Sequence, residues 1–269
     1  MKAYNFLLII MILISLILSG CYSSLDKYCV TSTTNSSSKS YKLNNRQKSI
    51  LKQEGLSTDY NKLNPVQKSS IEAIETMLCY LEKKYPNESF MYNGYVGTTI
   101  NPIEREHLIA DSDYGKVTVY REFENYKPVI TDNFNKVKAG YIYADVINKY
   151  VDKLIDDNDF VISVNINKIV GNKWETKPYE NCNAYIKLYF NNEKISKRAY
   201  TNNVKKILTY LSKNAKKLTT VNFALIKNDA FYLYVDRIFN NDDSFNTDDF
   251  IKYELYYNTD KHPNVFNKD

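Results

Sequence analysis

The stretch FVISVNIN, residues 160–167, decides the fold. Phe160, Ile162, Val164 and Ile166 alternate with Val161, Ser163, Asn165 and Asn167, a period of two that sets one face of a strand on a core and the other toward water. The polar run DDND before it, residues 156–159, reads as a turn. The same pattern returns at Ala184, Ile186, Leu188 and Phe190, with Tyr185, Lys187 and Tyr189 between them and facing outward. Strands buried on one side predict antiparallel sheet with helices packed on the apolar face.

Working outward, further strands are expected at Ser89–Val96, Lys116–Phe123, Thr219–Ile226, Phe231–Phe239 and Phe250–Tyr257. A short helix is expected over Arg46–Glu54, stopped by Gly55. The clearest helix lies in NPVQKSSIEAIETMLCYLEKKYP, residues 64–86. Asn64 suits the N-cap, Pro65 the first helical position, and Gln67 completes a capping box. Ile71, Ile74, Leu78, Leu81 and Tyr85 then share a face, and Pro86 follows the end. Two more helices are expected over Asn135–Asp156 and Thr201–Lys217, the latter with Val204, Ile207, Leu208, Leu211 and Ala215 on one stripe. The order is helix–strand–strand three times over, plus one strand. It predicts an α+β fold with mainly antiparallel sheet and three main helices on one face. The strands form either one extended sheet or two subdomains that meet near residue 130.

The other end of the chain has a different character. Lys2 precedes an apolar run from Phe6 to Leu18, interrupted only by Ser15. That is the length of a signal-peptide core and shorter than the ~20 apolar residues of a membrane-spanning helix. Leu18-Ser19-Gly20-Cys21 follows and resembles the lipobox of bacterial lipoproteins. The resemblance implies diacylglycerol transfer to the Cys21 thiol and cleavage after Gly20. It thus implies a lipid-anchored, palmitate-type N-terminus on the outer, extracytoplasmic face of the cell membrane. The mature part is similar to small uncharacterised lipoproteins of low-GC bacteria, which implies no activity. Residues 1–20 therefore read as signal peptide. Residues 21–45, rich in Ser, Thr and Asn, read as a disordered tether of ~25–30 Å reach. Residues 46–269 read as the α+β domain.

Removing residues 1–20 takes Lys2 and no acidic residue, lowering the formal charge from +5 to +4. So mild a positive charge, spread along the chain, argues against a nucleic-acid partner. Tyr (25 residues) is abundant and Gly (7) scarce, a bias that an AT-rich genome yields without selection for function. Of four cysteines, Cys21, Cys29, Cys79 and Cys182, lipidation of the first leaves an odd number, which is no disulfide framework.

No phosphate-cradling loop, nucleophile elbow or zinc motif occurs, and only two histidines are present, so no cofactor or metal is expected. Within NPIEREHLIADSDYG, Glu104, His107 and Asp111 are candidates for a small metal site or a His–carboxylate base; the plainer reading is a charged connection. Helical phasing sets Cys79 about 140° from the apolar stripe, on the polar side. There it is a reactive thiol, a bridge to Cys29, or simply covered. Cys182 phases with the core residues of its strand. The loop NNDDSFNTDDF, residues 240–250, has the composition of a calcium loop without the Gly and Glu that an EF-hand needs, and reads as a solvated connection. His262 falls in a polar tail. Finally, Tyr185 and Tyr189 on one strand and Tyr232 and Tyr234 on another form a candidate platform for a glycan or protein partner.

The expected function is a lipid-anchored binding or interaction module, more a binder than an enzyme. The alternatives are a cell-envelope hydrolase using Cys79 or the Glu104/His107/Asp111 group, and the substrate-binding component of a transporter. The last expects parallel βαβ lobes rich in glycine.

Overall fold

The computed structural model describes residues 41–97, 105–125, 127–155, 159–239, 246–259, 262 and 265–268. The Leu18–Cys21 motif, Cys29, Glu104 and most of the loop 240–250 lie outside them. Among the described residues, no helix is long and apolar enough to cross a membrane. The fold is α+β, and the chain divides into two compact units. One runs to Asp132 apart from Tyr114–Lys116; the other holds Tyr114–Lys116 and everything from Asn133 onward.

The first unit opens with α1 (Asn45–Gln53) and α2 (Pro65–Lys84), each started by a reciprocal capping box, Asn44 with Gln47 and Asn64 with Gln67. Each box satisfies two orphan backbone donors. Gly55, at φ 68°, takes the left-handed conformation just past the end of α1. Ile71, Ile74, Met77, Leu78 and Leu81 of α2 are buried. A four-stranded sheet follows in the order β1 (Met91–Val96), β2 (His107–Ser112), β3 (Gly115–Glu124), β4 (Lys127–Asp132). β1–β2 and β3–β4 pair antiparallel. β2 and β4 were not foreseen. β2 buries only Leu108 and Ala110, and β4 is an edge strand carrying Pro128 with no buried apolar side chain. Neither has enough apolar alternation to announce itself. At the end of β4, the buried Asp132 carboxylate accepts from Lys84 Nζ (2.7 Å) and from the Tyr80 and Tyr85 hydroxyls (2.9 and 3.0 Å). Burial, reinforced by that carboxylate, pushes the Tyr85 hydroxyl up to about 12.

The second unit begins with α3 (Phe134–Val151) and builds a five-stranded sheet in sequence order. Its strands are β5 (Phe160–Ile169), β6 (Cys182–Asn191), β7 (Thr219–Ile226), β8 (Phe250–Tyr257) and β9 (Asn267–Lys268). The short α4 (Pro178–Asn181) precedes β6, and α5 (Lys197–Asn214) connects β6 to β7. The expected alternation in β5 and β6 is present: Phe160, Val164, Ile166, Ala184, Ile186, Leu188 and Phe190 join one core cluster. That cluster also takes Tyr143 and Ile147 from α3, and Tyr200, Val204, Ile207 and Leu211 from α5. The pairing is antiparallel except at the centre, where β6 and β7 run parallel. Parallel neighbours need a crossover of a dozen or more residues, and α5 supplies it.

The segment expected as a strand over Phe231–Phe239 is instead a helix, α6 (Asn228–Phe239). Its Phe, Tyr and Val content favours strands, but Ala230, Phe231 and Tyr234 fall on one helical face and are buried. They pack on Val161, Tyr189, Ala224 and Ile226, on the sheet face opposite α3 and α5.

α3 crosses β5 at Gly140, where an added Cβ would sit 2.3 Å from the Val164 carbonyl oxygen. Alanine there would gain ~1 kcal/mol of helix propensity. The clash is with backbone, which cannot step aside, and overpacking costs typically 1–3 kcal/mol. Gly140→Ala is expected to destabilise the fold by about 2 kcal/mol, read as a lower urea midpoint; an unchanged or raised midpoint would refute the close approach.

Candidate functional site

Among the described residues of the acidic stretch, His107 and Asp111 do not come together. His107 opens β2, its Nδ1 2.8 Å from the Arg105 carbonyl oxygen, which can only accept. Asp111 lies four residues along the same strand, ~13 Å away at strand rise, too far for a His–carboxylate pair. Asp111 instead accepts from Asn93 Nδ2 at 2.8 Å. Glu106, 4% exposed, is held by both arms of the Arg121 guanidinium (2.8 and 2.7 Å) and by the Tyr95 hydroxyl. Glu104 is outside the described residues. Among those described, no three His, Cys, Asp or Glu side chains are grouped to hold a metal ion.

Cys79 is buried, not on an open polar side, and it is disulfide-bonded. It therefore carries no thiol nucleophile. The reason is α1, which covers that side of α2 through polar contacts. Arg46 reaches Glu75 (2.8 and 3.0 Å) and Glu82, and its Nη2 lies 3.4 Å from the Cys79 sulfur. Cys182 is fully buried and free, and burial raises its thiol to about 11. A neutral core thiol fits its phase on β6.

The tyrosines separate into two groups. Tyr189 and Tyr234 are buried against each other, ring centres 6.2 Å apart and edge to face, under α6. The Tyr234 hydroxyl contacts Asp249 Oδ2 (3.1 Å) and receives the Asn246 backbone N–H (2.7 Å). Tyr232, on the outer side of α6, is 61% exposed. The four expected tyrosines thus form no common platform, because two of them sit on a helix that covers a third.

Tyr185 belongs to the other half of this sheet face. The register sets side by side the rows Ser163–Lys187–Asn222–Leu255 and Asn165–Tyr185–Thr220–Tyr257. Tyr253 comes from the next row, beside Ala224. Asn222 Nδ2 donates to the Tyr185 hydroxyl at 3.3 Å, and the Tyr253 hydroxyl lies within reach of both side chains. Burial raises the Tyr253 hydroxyl, although the residue as a whole is 42% exposed. Lys187 Nζ lies 6.0 Å over the Tyr185 ring. The Asn222 amide oxygen is buried without a donor among the described residues. A surface of aromatic rings, amides, hydroxyls and one ammonium can stack on and hydrogen-bond a polar ligand. Sequence reading missed Tyr253 and Asn222. The signal was there in the outward positions of β7 and β8, but it needed the register to align them with Tyr185.

The α+β fold is similar to that of one solved structure. A DUF5037 family protein from Ruminococcus gnavus superposes with a TM-score of 0.50 over 74% of this chain and 95% of its own, at 10% identity. At that identity the likeness is one of fold. No protein-family model matches the sequence, and no curated protein matches it.

Tyr232 and Tyr234 discriminate helix from strand in α6. Tyr234→Ala empties a packed site and is expected to cost about 3–4 kcal/mol. Tyr232→Ala is expected to stay within ~0.5 kcal/mol. Equal losses in chemical denaturation would contradict the helix.

Proposed function

We propose that this protein is a lipid-anchored binding module on the outer face of a bacterial cell membrane, and that it recognises a glycan through the Tyr185–Asn222–Tyr253 face. The observation that carries the location is the disulfide at Cys79. Disulfides persist in oxidising compartments and are rare in the cytosol. An exported chain fits both that bond and the Leu18-Ser19-Gly20-Cys21 stretch, whose thiol takes the diacylglyceryl group. The acyl chains together hold the protein where a single chain would bind only marginally.

Growth with labelled palmitate tests the anchor. Label is expected on the wild-type chain in the membrane fraction and none on Cys21→Ala. Label that persists on the variant would sink the proposal.

The glycan reading rests on the Asn222 amide oxygen, an acceptor without a donor beneath tyrosine rings. A sugar hydroxyl that reached it as the exposed Tyr253 ring moved aside would supply that donor, and base-like stacking of a pyranose on Tyr185 would add apolar contact. Tyrosine fluorescence titration against a panel of soluble oligosaccharides provides the measurement. Tyr185→Ala and Tyr253→Ala are each expected to weaken binding tenfold or more, and Tyr232→Ala to leave it unchanged. If every panel member fails to bind, or all three variants bind alike, the face is not a glycan site.

A further inference from the structure

We propose that the outward face of α5 docks on an anionic lipid bilayer; the choice of a bilayer rests on the proposed location at a membrane. The mild charge of the whole chain conceals an uneven distribution. Between Glu193 and Asp229 the sequence holds nine Lys or Arg and no Asp or Glu. That stretch is +9, and the remainder of the chain, with 27 basic and 31 acidic residues, is −4. α5 lies within it.

The helix turns these charges to one side. Tyr200, Val204, Ile207 and Leu211 are buried in the core against the sheet. At about 100° per residue, Arg198, Asn202, Lys205, Thr209 and Lys213 fall on the opposite side, with Lys206 at its margin. All six are exposed. Among the described residues, none of the four cations is in an ion pair. Three and four residues from Lys205 stand Thr201, Asn202, Leu208 and Thr209, so no carboxylate alternates with the lysines as on an ordinary solvated helix face. Arg198 also sits in the first turn, where a cation opposes the helix dipole. Anions lying alongside would offset both effects.

The row from Arg198 to Lys213 runs ~22 Å along the helix, too long for one small anion and suited to a plane of many headgroups. Each basic side chain at an anionic bilayer is worth about fivefold in affinity, so four together give ~600-fold. Nucleic acid offers similar charges, but the disulfide at Cys79 fits an oxidising compartment outside the cytosol. Docking in this way also sets an orientation. α5 packs on the sheet face that holds Ala184, Ile186 and Leu188, whereas Tyr185 and Asn222 stand on the other face. With α5 against headgroups, the Tyr185–Asn222 face points away from the membrane.

Lysine acetylation read by mass spectrometry tests the docking. The full chain, made in an exporting bacterial host, is inserted from detergent into preformed vesicles. One set is phosphatidylcholine and the other equal parts phosphatidylcholine and phosphatidylglycerol. Lys205, Lys206 and Lys213 are expected to react at least tenfold more slowly on the anionic vesicles. Salt at 1 M, where the screening length falls to ~3 Å, should abolish the difference. Equal rates on the two vesicles, or protection that salt leaves untouched, would overturn the docking. A short DNA duplex that protects the same lysines better than the anionic vesicles would overturn the lipid assignment. Lys205→Gln combined with Lys206→Gln should weaken the docking read at Lys213 by ~25-fold; unchanged protection would again refute it. Flotation separates this inference from the anchor. A chain that floats with phosphatidylcholine vesicles yet shows no charge-dependent protection keeps its anchor and has no docking face. A chain that floats only with anionic vesicles, its α5 lysines protected, has the docking face and no lipid anchor.

Discussion

The parallel pairing of β6 with β7 is the constraint on which the second unit depends. Eight consecutive pairs, from Ala184 beside Thr219 to Asn191 beside Ile226, place these strands at the centre of the sheet. A chain cannot pass between parallel neighbours through a tight turn, so α5 must lie on one face. Its stripe of Tyr200, Val204, Ile207 and Leu211 makes that face the main core. The central strands are then buried on both sides toward their ends: Lys187, Leu188, Tyr189, Phe190 and Asn191 are all under cover. Strands buried on both faces are the usual consequence of crossover helices.

Covering the second face requires an element there, and α6 covers only one end of it. The polar groups beneath or beside the cover are paired. Asn191 Nδ2 donates to Asn228 Oδ1 at 2.7 Å, at the start of α6. At the opposite end of β7, Asn258 accepts the Thr219 N–H and donates to the Lys217 carbonyl at 3.0 Å. Between these ends the face passes from an apolar row at Tyr189 to amides and hydroxyls at Lys187–Asn222 and Tyr185–Thr220. An unpaired buried amide costs on the order of 1–3 kcal/mol. Among the described residues of this sheet the Asn222 oxygen shares that condition with Asn183 Oδ1 on β6, but only Asn222 has it beside the Tyr185 and Tyr253 hydroxyls.

How much of this was legible in the sequence follows from what alternation reports. It reports one-sided burial, so β5, β6, β7 and β8 were readable, as were the helices with a clean stripe. It is silent about strands that bury little, such as β2 and β4, and about direction, so the parallel pair was invisible. FYLYVDRIF carries strand-favouring residues whose buried positions, Phe231 and Tyr234, are spaced for a helix; packing on Tyr189 and Ile226 outweighed propensity. Cys79 was left open between a reactive thiol, a bridge and a covered residue for a related reason. A helix wheel equates polar with solvent, but the polar side of α2 lies under α1, joined through Arg46, Glu75 and Glu82. Of the four candidate tyrosines only Tyr185 lies beside Tyr253 and Asn222, and those two needed the strand register to be found.

The fate of the acidic residues explains why sequence offered chemistry that the fold spends elsewhere. A carboxylate poised for acid–base work needs its charge or proton available to a substrate. Glu106 is committed to both arms of Arg121, Asp132 to Lys84 and two tyrosines, and Glu75 to Arg46 and Asn44. Each is buried, and a buried charge is tolerable only when its lone pairs are met by donors. Removing one partner would strand the other at a cost of ~3–5 kcal/mol. These pairs therefore act to fix which strands and helices meet. In the second unit Glu254 plays the same part, held charged by Lys252 and Lys268, which lower its pKa against the effect of burial. With Glu254 engaged in this way, the Tyr185–Asn222 half of the sheet face is built from rings, amides and hydroxyls rather than from carboxylates.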